Sequence, residues 1–380
     1  MKTCIHNARV ISPDVEIARG GLVMENGRIL EVFEGDAPAG IAREIDAGGR
    51  MLMPGFFDIH CHGADRHDVC DDDLNAIRHI AKRKIQEGVT TWLPTTLTQP
   101  ADKLASIMEK CAAYAAHPEF TRCPGVHVEG PYINVTKAGA QNPEFVRPPD
   151  IGELKRLHEI CPALIVSLAP ELPGAVELIA AARQMGITSS AAHTAATCGE
   201  ILTAKSAGLS HLTHFGNAMT PLHHREIGVV GAGLMDDSLK IELICDTIHL
   251  CPDMLKLIFR VVPIERLMMI TDSMAASWID KGEVMLGGLV VVAENGTARL
   301  KEGGALAGSA LRFNHGVKHV AEITGLPLHQ IVKATSWNQA CSLGLEGFGK
   351  IEPGFHADLV ILDADFAVWK TLVGGEIRAE

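Results

Sequence analysis

The sequence contains no basic block. Its 34 lysines and arginines are outnumbered by 46 aspartates and glutamates, a formal net charge of −12 with histidine neutral. That balance argues against a nucleic-acid or anionic-membrane surface, although one local arginine can still receive an anionic small molecule. No CxxC pair occurs among the ten cysteines, and a 380-residue chain buries enough core to need no disulfide framework. Reduced thiols in a cytosolic, cytoplasmic enzyme are the expectation. The stretch MKTCIHNARVISPDVEIARG lacks an apolar h-region and a small-residue cleavage site, so no secretory signal is expected. Long apolar stretches such as Leu164–Ala182 are broken, here by Pro170, Glu171 and Pro173, and no segment reads as a bilayer span. Low-complexity segments and short solenoid repeats are missing as well. What remains, at 47% hydrophobic and 21% charged residues, is an ordinary globular protein.

Histidine is what the chain has in excess: eighteen, against two tyrosines and four tryptophans. The residue suited to metals and proton transfer outnumbers the polar aromatics. Where those histidines fall depends on the organisation of the chain. The first ~50 residues alternate apolar and polar positions around a Glu25-Asn26-Gly27 turn, which reads as hairpin material. From Met51 onward, eight short apolar runs are separated by segments of helical period such as LNAIRHIAKRKIQEG. The runs are Leu52–Ile59, Val89–Pro94, Gly125–Val128, Leu164–Ala169, Ile187–Ala192, His211–Thr213, Ile241–Cys245 and Leu267–Ile270. Eight βα units over ~300 residues is the count of a (β/α)8 TIM barrel. After Leu345 the alternation returns. The expected architecture is therefore an α/β barrel over residues 51–349, beside a small β-domain built from 1–50 and 350–380.

Active sites of such barrels lie where the strands end at their C-terminal face. The first run ends in Asp58-Ile59-His60-Cys61-His62 and the third in His127-Val128-Glu129-Gly130-Pro131. His193 follows the fifth, His214 the sixth, Asp246 and His249 the seventh, and Asp272 the eighth. An HxH pair on a strand points both imidazoles to one side, which suits a shared divalent ion such as zinc. Glu129 can bridge to a second ion completed by His193 and His214, and Asp272 can take a proton from the attacking water and return it to a leaving amine. A lone histidine near a strand end is usually just a satisfied polar residue; recurrence at successive strand ends is what favours a metal site. His6, His67, His79, His117, His158 and His356 lie outside that pattern, and Cys61 alternates away from the pair as a small core residue.

These segments resemble the amidohydrolase superfamily, and within it the N-acetylglucosamine-6-phosphate deacetylase family. The resemblance rests on PGFFDIHCHG (54–63), GVHVEGPYIN (125–134), KAGAQNPEFVRPPD (137–150), HLTHFGNAM (211–219), ICDTIHL (244–250), ITDSM (270–274), LAGSAL (306–311) and PGFHADLVILD (353–363). It implies a deformed barrel with a small β-sandwich from both termini, and release of acetate from an N-acetylated amino-sugar phosphate. It implies Glu129, His193 and His214 at the main metal, with Asp272 as catalytic acid/base. His60 and His62 match the members that hold two ions. By the same resemblance His249 polarises the substrate carbonyl, Asn217 and Ala218 approach the phosphate, Arg225 pairs with it, and Leu306, Ala307 and Gly308 border the sugar. Arginine suits phosphate because its planar fork binds two oxygens. One or two divalent ions, zinc foremost with iron, cobalt or manganese as alternatives, and a homodimer are further expectations.

Two positions depart from the family pattern. Gln141 stands where a histidine usually lines the substrate site, and Thr247 replaces the glycine of D-G-x-H, which would set a β-branched side chain beside the pocket. Neither touches the expected ligands. The rival readings are a deacylase of another N-acyl amino sugar or of an N-acyl amino acid and, from a different class, a non-catalytic homologue, which would be expected to have lost ligands that this chain keeps.

Overall fold

The computed structural model describes residues 1–380. The alternating head forms β1 (Thr3–Ser12), β2 (Val15–Glu25), β3 (Arg28–Glu34), β4 (Arg43–Asp46) and β5 (Met51–Pro54). Asn26 and Gly27, both at positive φ, make the two-residue loop between β2 and β3, the twist that antiparallel neighbours need. Then comes β6 (Phe56–Cys61), a minimal hairpin of β7 (Gly63–Ala64) and β8 (His67–Asp68), and β9 (Val89–Pro94). The remaining barrel strands are β10 (Val126–Glu129), β11 (Ala163–Leu168), β12 (Thr188–Ala191), β13 (Leu209–Leu212), β14 (Lys240–Ile244) and β15 (Leu267–Ile270).

All eight expected barrel strands are present. Strands β10 to β15 form one parallel sheet in chain order, and β6 pairs with β9 in parallel. Isolated bridges, Thr95 to His127 and Cys61 to Ser273, close the circle where the regular ladder lapses. The result is a deformed (β/α)8 barrel with two weak seams. One seam is held by charge. Lys84, fully buried on the helix Leu74–Gln86, sets its ammonium 2.8 Å from Asp58 and 2.6 Å from Glu87. Burial works against that charge, but the two carboxylates hold the ammonium well above the ordinary lysine range. Asp58 also accepts the Thr271 N–H at 3.1 Å, tying β6 to the residue before Asp272.

The run Leu52–Ile59, read as one strand, is two. The chain breaks at Gly55, where a Cβ would lie 2.2 Å from the Thr90 side chain, so only glycine lets β6 approach β9 this closely. Before the break, β5 belongs to the terminal sheet. That sheet is completed by β19 (Leu359–Leu362), β20 (Val368–Val373) and β21 (Glu376–Ala379), in the order β21-β20-β19-β5-β1-β2-β3 with β4 parallel to β1. It has its own apolar core, including Ile5, Val10, Leu22, Leu52, Leu359 and Ile361. The sequence reading also lacks a small antiparallel sheet that leaves the barrel after β15: β16 (Lys281–Leu286), β17 (Leu289–Glu294) and β18 (Thr297–Leu300). Its turns, Gly287-Gly288 and Asn295-Gly296, carry ordinary hairpin signals.

Candidate active site

Four candidate residues share one offset. His193, His214, Asp246 and Asp272 each lie two positions beyond the last residue of β12, β13, β14 and β15. Three of them, His193, His214 and Asp272, have positive φ (44°, 35° and 48°), a conformation that costs a non-glycine residue ~1–2 kcal/mol. The turns that end β12, β13 and β15 thus carry strain at the residue that faces the centre. Gly308 packs behind Asp272 at φ +56, where a Cβ would meet the Asp272 carbonyl oxygen at 3.1 Å.

The side chains converge on Glu129, the last residue of β10. Its Oε1 lies 3.0 Å from His214 Nε2 and 3.3 Å from His193 Nε2, and its Oε2 lies 3.3 Å from His62 Nε2. His60 Nε2 is 3.2 Å from His62 Nε2 and 3.6 Å from Glu129 Oε1. Asp272 Oδ1 is 3.2 Å from His62 Nε2 and 3.5 Å from His60 Nε2. All six side chains are buried. Two of the rings are oriented by backbone: His62 Nδ1 donates to Thr95 O at 3.1 Å, and His193 Nδ1 to Lys137 O at 2.8 Å. Nε2 of each ring therefore faces the centre. Burial works against both carboxylates, yet the surrounding imidazoles, His60 foremost, hold Glu129 well below the usual range and Asp272 at about 2. Burial also pushes His60 down towards the neutral ring that a ligand requires.

Asp246 Oδ2 accepts from His249 Nδ1 at 2.6 Å, which leaves His249 Nε2 for the cavity. Burial opposes protonation of this ring, but the Asp246 carboxylate raises it above the ordinary histidine value. The cavity, about 340 Å³, has the donor cluster at one end. Thr136, Lys137, Asn217, Ala218, Leu286, Leu306 and Gly308 form its other walls.

A family description, "Amidohydrolase family", matches residues 51–378. The chain belongs to the amidohydrolase family. This amidohydrolase is 35% identical to the N-acetylglucosamine-6-phosphate deacetylase of Bacillus subtilis, over 98% of the chain and 96% of the relative. It is also 35% identical to the N-acetylgalactosamine-6-phosphate deacetylase of Escherichia coli O157:H7, over 87% and 88%. The solved N-acetylglucosamine-6-phosphate deacetylase of Thermotoga maritima superposes with a TM-score of 0.90 at 36% identity, covering 99% of both chains.

Family membership implies a divalent ion, and the donors fit one. Four ligands at ~2.0–2.1 Å around a tetrahedral ion stand on the order of 3.3 Å apart. The inward-facing atoms of this amidohydrolase lie 3.0–3.6 Å from their neighbours. Three trios have donors close enough: His60, His62 and Glu129, and Glu129, His193 and His214 on the cavity side, and His60, His127 and Glu242 behind them.

Not every expected residue reaches the cavity. Arg225 is exposed, hydrogen-bonded to His224 at 2.7 Å, and lies outside the cavity walls. Ala307 is fully buried in the apolar core, so only its neighbours Leu306 and Gly308 border the cavity. Thr247, expected beside the pocket, instead lines a neighbouring cavity with Ile248, Trp278 and Arg312, because its φ of +68 turns the chain away. Gln141 does reach the site and, against the expectation that it leaves the ligands untouched, braces one of them. Its amide donates to Glu129 Oε2 at 2.6 Å while its oxygen accepts the Thr98 N–H at 2.6 Å. Lys137 and Thr136 went unread although they sit in or beside the KAGAQNPEF motif, and Leu286 could be found only by placing the three-stranded sheet.

Proposed function

We propose that this amidohydrolase removes the N-acetyl group of N-acetylglucosamine 6-phosphate, giving glucosamine 6-phosphate and acetate. The observation that carries the reading is the convergence of Asp272, His249 and the Glu129-centred donor cluster on one cavity. Full-length likeness to deacetylases of N-acetyl hexosamine phosphates supports it. His60, His62, Glu129, His193, His214 and Asp272 would hold one or two divalent ions, zinc foremost. Such an ion supplies Lewis acidity and lowers the pKa of water towards ~7.

The chain's own groups do the rest. Asp272, ionised by its imidazole neighbours, takes the proton of the attacking water and hands it to the departing amine. His249, protonated with the help of Asp246, donates from Nε2 to the acetyl oxygen as negative charge develops there. Leu306, Gly308 and Leu286 exclude water from the sugar side of the cavity. Asn217 and Ala218, with Arg225 approaching from beyond the wall, are the proposed phosphate contacts. The terminal sheet is a separate domain, and a cytoplasmic homodimer completes the reading; ten free cysteines support a reducing compartment.

The likeness to an N-acetylgalactosamine-6-phosphate deacetylase favours the galacto epimer as a second reading. The test is acetate release by metal-loaded protein from four compounds: both epimers, each with and without the 6-phosphate. Turnover of N-acetylglucosamine 6-phosphate at least tenfold above the others is expected. A preference for the galacto phosphate would select the second reading, and turnover independent of phosphate would overturn both.

A further inference from the structure

Glu242 has no part in the chemistry above, yet it is fully buried on β14 directly behind the donor cluster. Its Oε2 is 3.4 Å from His60 Nδ1, and its Oε1 is 3.6 Å from His211 Nδ1. No lysine or arginine pairs with it. Glu242 Oε1 and His211 Nδ1 both lack a hydrogen-bond partner. A buried carboxylate without a cation is costly, and proteins keep one only where something compensates it.

The compensation lies across the His60 ring. His60 Nε2 faces His62, Glu129 and Asp272; with an ion on that nitrogen the proton of the ring sits on Nδ1, and Glu242 Oε2, at 3.4 Å, is the acceptor there. His62 and His193 donate their Nδ1–H groups to backbone carbonyls and His214 Nδ1 has no partner, so among the candidate ligands only His60 is backed by a carboxylate. His127, which with His60 and Glu242 forms a close trio, is already engaged at both nitrogens: Nδ1 with Ile59 O at 2.9 Å and Nε2 with Ser167 Oγ at 2.6 Å. A carboxylate behind a ligating histidine fixes its tautomer and raises its basicity, and loss of such a partner typically weakens metal binding 10–100-fold.

We infer that Glu242 is a positioning residue for the ion at His60 and His62, the partner through which this chain holds a second divalent cation beside the one at Glu129, His193 and His214. The inference rests on the metal-site reading proposed above. The experiment is zinc titration of the full chain in chelator-buffered solutions, with bound metal counted by mass spectrometry, for the parent, E242L and E242Q. Melting of the metal-free proteins is followed in parallel.

The parent is expected to bind two ions. E242L should bind one with parental affinity and the other at least tenfold more weakly. Its metal-free melting temperature should be equal or higher, because a buried polar group with an unpartnered oxygen has gone. E242Q keeps an oxygen that can accept from His60 and should show a smaller loss, and it carries the test alone if E242L does not fold. A role in packing alone would lower the metal-free melting temperature and leave the affinities unchanged. Parental affinity for both ions in E242L, a single ion in the parent, or equal weakening of both ions would overturn the inference. Because the readout is metal binding, failure of the deacetylase reading would show separately, in the acetate assay.

Discussion

The two ends of the cavity are built on opposite plans. The donor end consists of residues in or just past barrel strands, buried, with its rings oriented by hydrogen bonds and Glu129 braced by Gln141. The rest of the lining is loop and excursion: Thr136 and Lys137 in a short turn whose backbone carbonyl orients His193, Asn217 and Ala218 past β13, Leu286 at the end of β16. Rigid elements hold chemistry to fractions of an ångström, whereas loops can change what is recognised without disturbing it. Reaction type should therefore be set at one end and substrate identity at the other.

The sharpest way to break that division is D272N. If Asp272 moves the proton, turnover should fall at least ~10³-fold while the ion at Glu129, His193 and His214, a trio that does not include Asp272, stays bound. Turnover within tenfold of the parent would remove Asp272 from the mechanism. The far end predicts a different signature. Charge-assisted contacts to phosphate are worth ~1.5–3 kcal/mol, so R225M and K137M should each raise KM for the phosphate ester roughly tenfold or more, with kcat little changed. Lys137 makes no ion pair in the fold and lines the cavity, whereas Arg225 lies outside its walls, so the larger effect is expected of K137M. A fall in kcat in either variant would mean that the two ends are not separable.

The smallest effect concerns stability beside the donor end. Asp68, in the hairpin after the HxH strand, is 4% exposed, and its Oδ2 has no partner. Burial raises this carboxyl from 3.8 to about 6. The ionised form is thus the disfavoured one, so stability is greatest below about pH 4 and is lost as pH rises through about 6. D68N should raise the melting point by about 2 °C at pH 7.5, and the gain should vanish at pH 4. A gain independent of pH would mean that the carboxylate is already satisfied.

Much of this was legible in the chain because strand ends are marked by short apolar runs. All eight barrel strands were found within a few residues of their ends, and the donor residues sit at those ends or just past them. The miss at Gly55 arose because a continuous apolar run carries no mark of a change of sheet. Arg225 and Ala307 were assigned by motif, and a motif gives the order of residues without the direction a loop takes. Glu242 was invisible for another reason. It lies inside IELIC, an ordinary buried-strand pattern, and its meaning depends on a histidine 182 residues away.

The terminal sheet has a consequence for how the chain is made. Strand β5 bonds on one side to β1 and on the other to β19, which leaves the ribosome roughly three hundred residues later. At ordinary elongation rates the exposed edge of β5 waits tens of seconds for its partner. During that interval Leu52 and Met53 belong to an apolar strand open on one edge, the kind of edge that recruits neighbouring chains. Barrel synthesis fills the wait. Yield in a cell should therefore depend on chaperone capacity more than the finished molecule's stability would suggest.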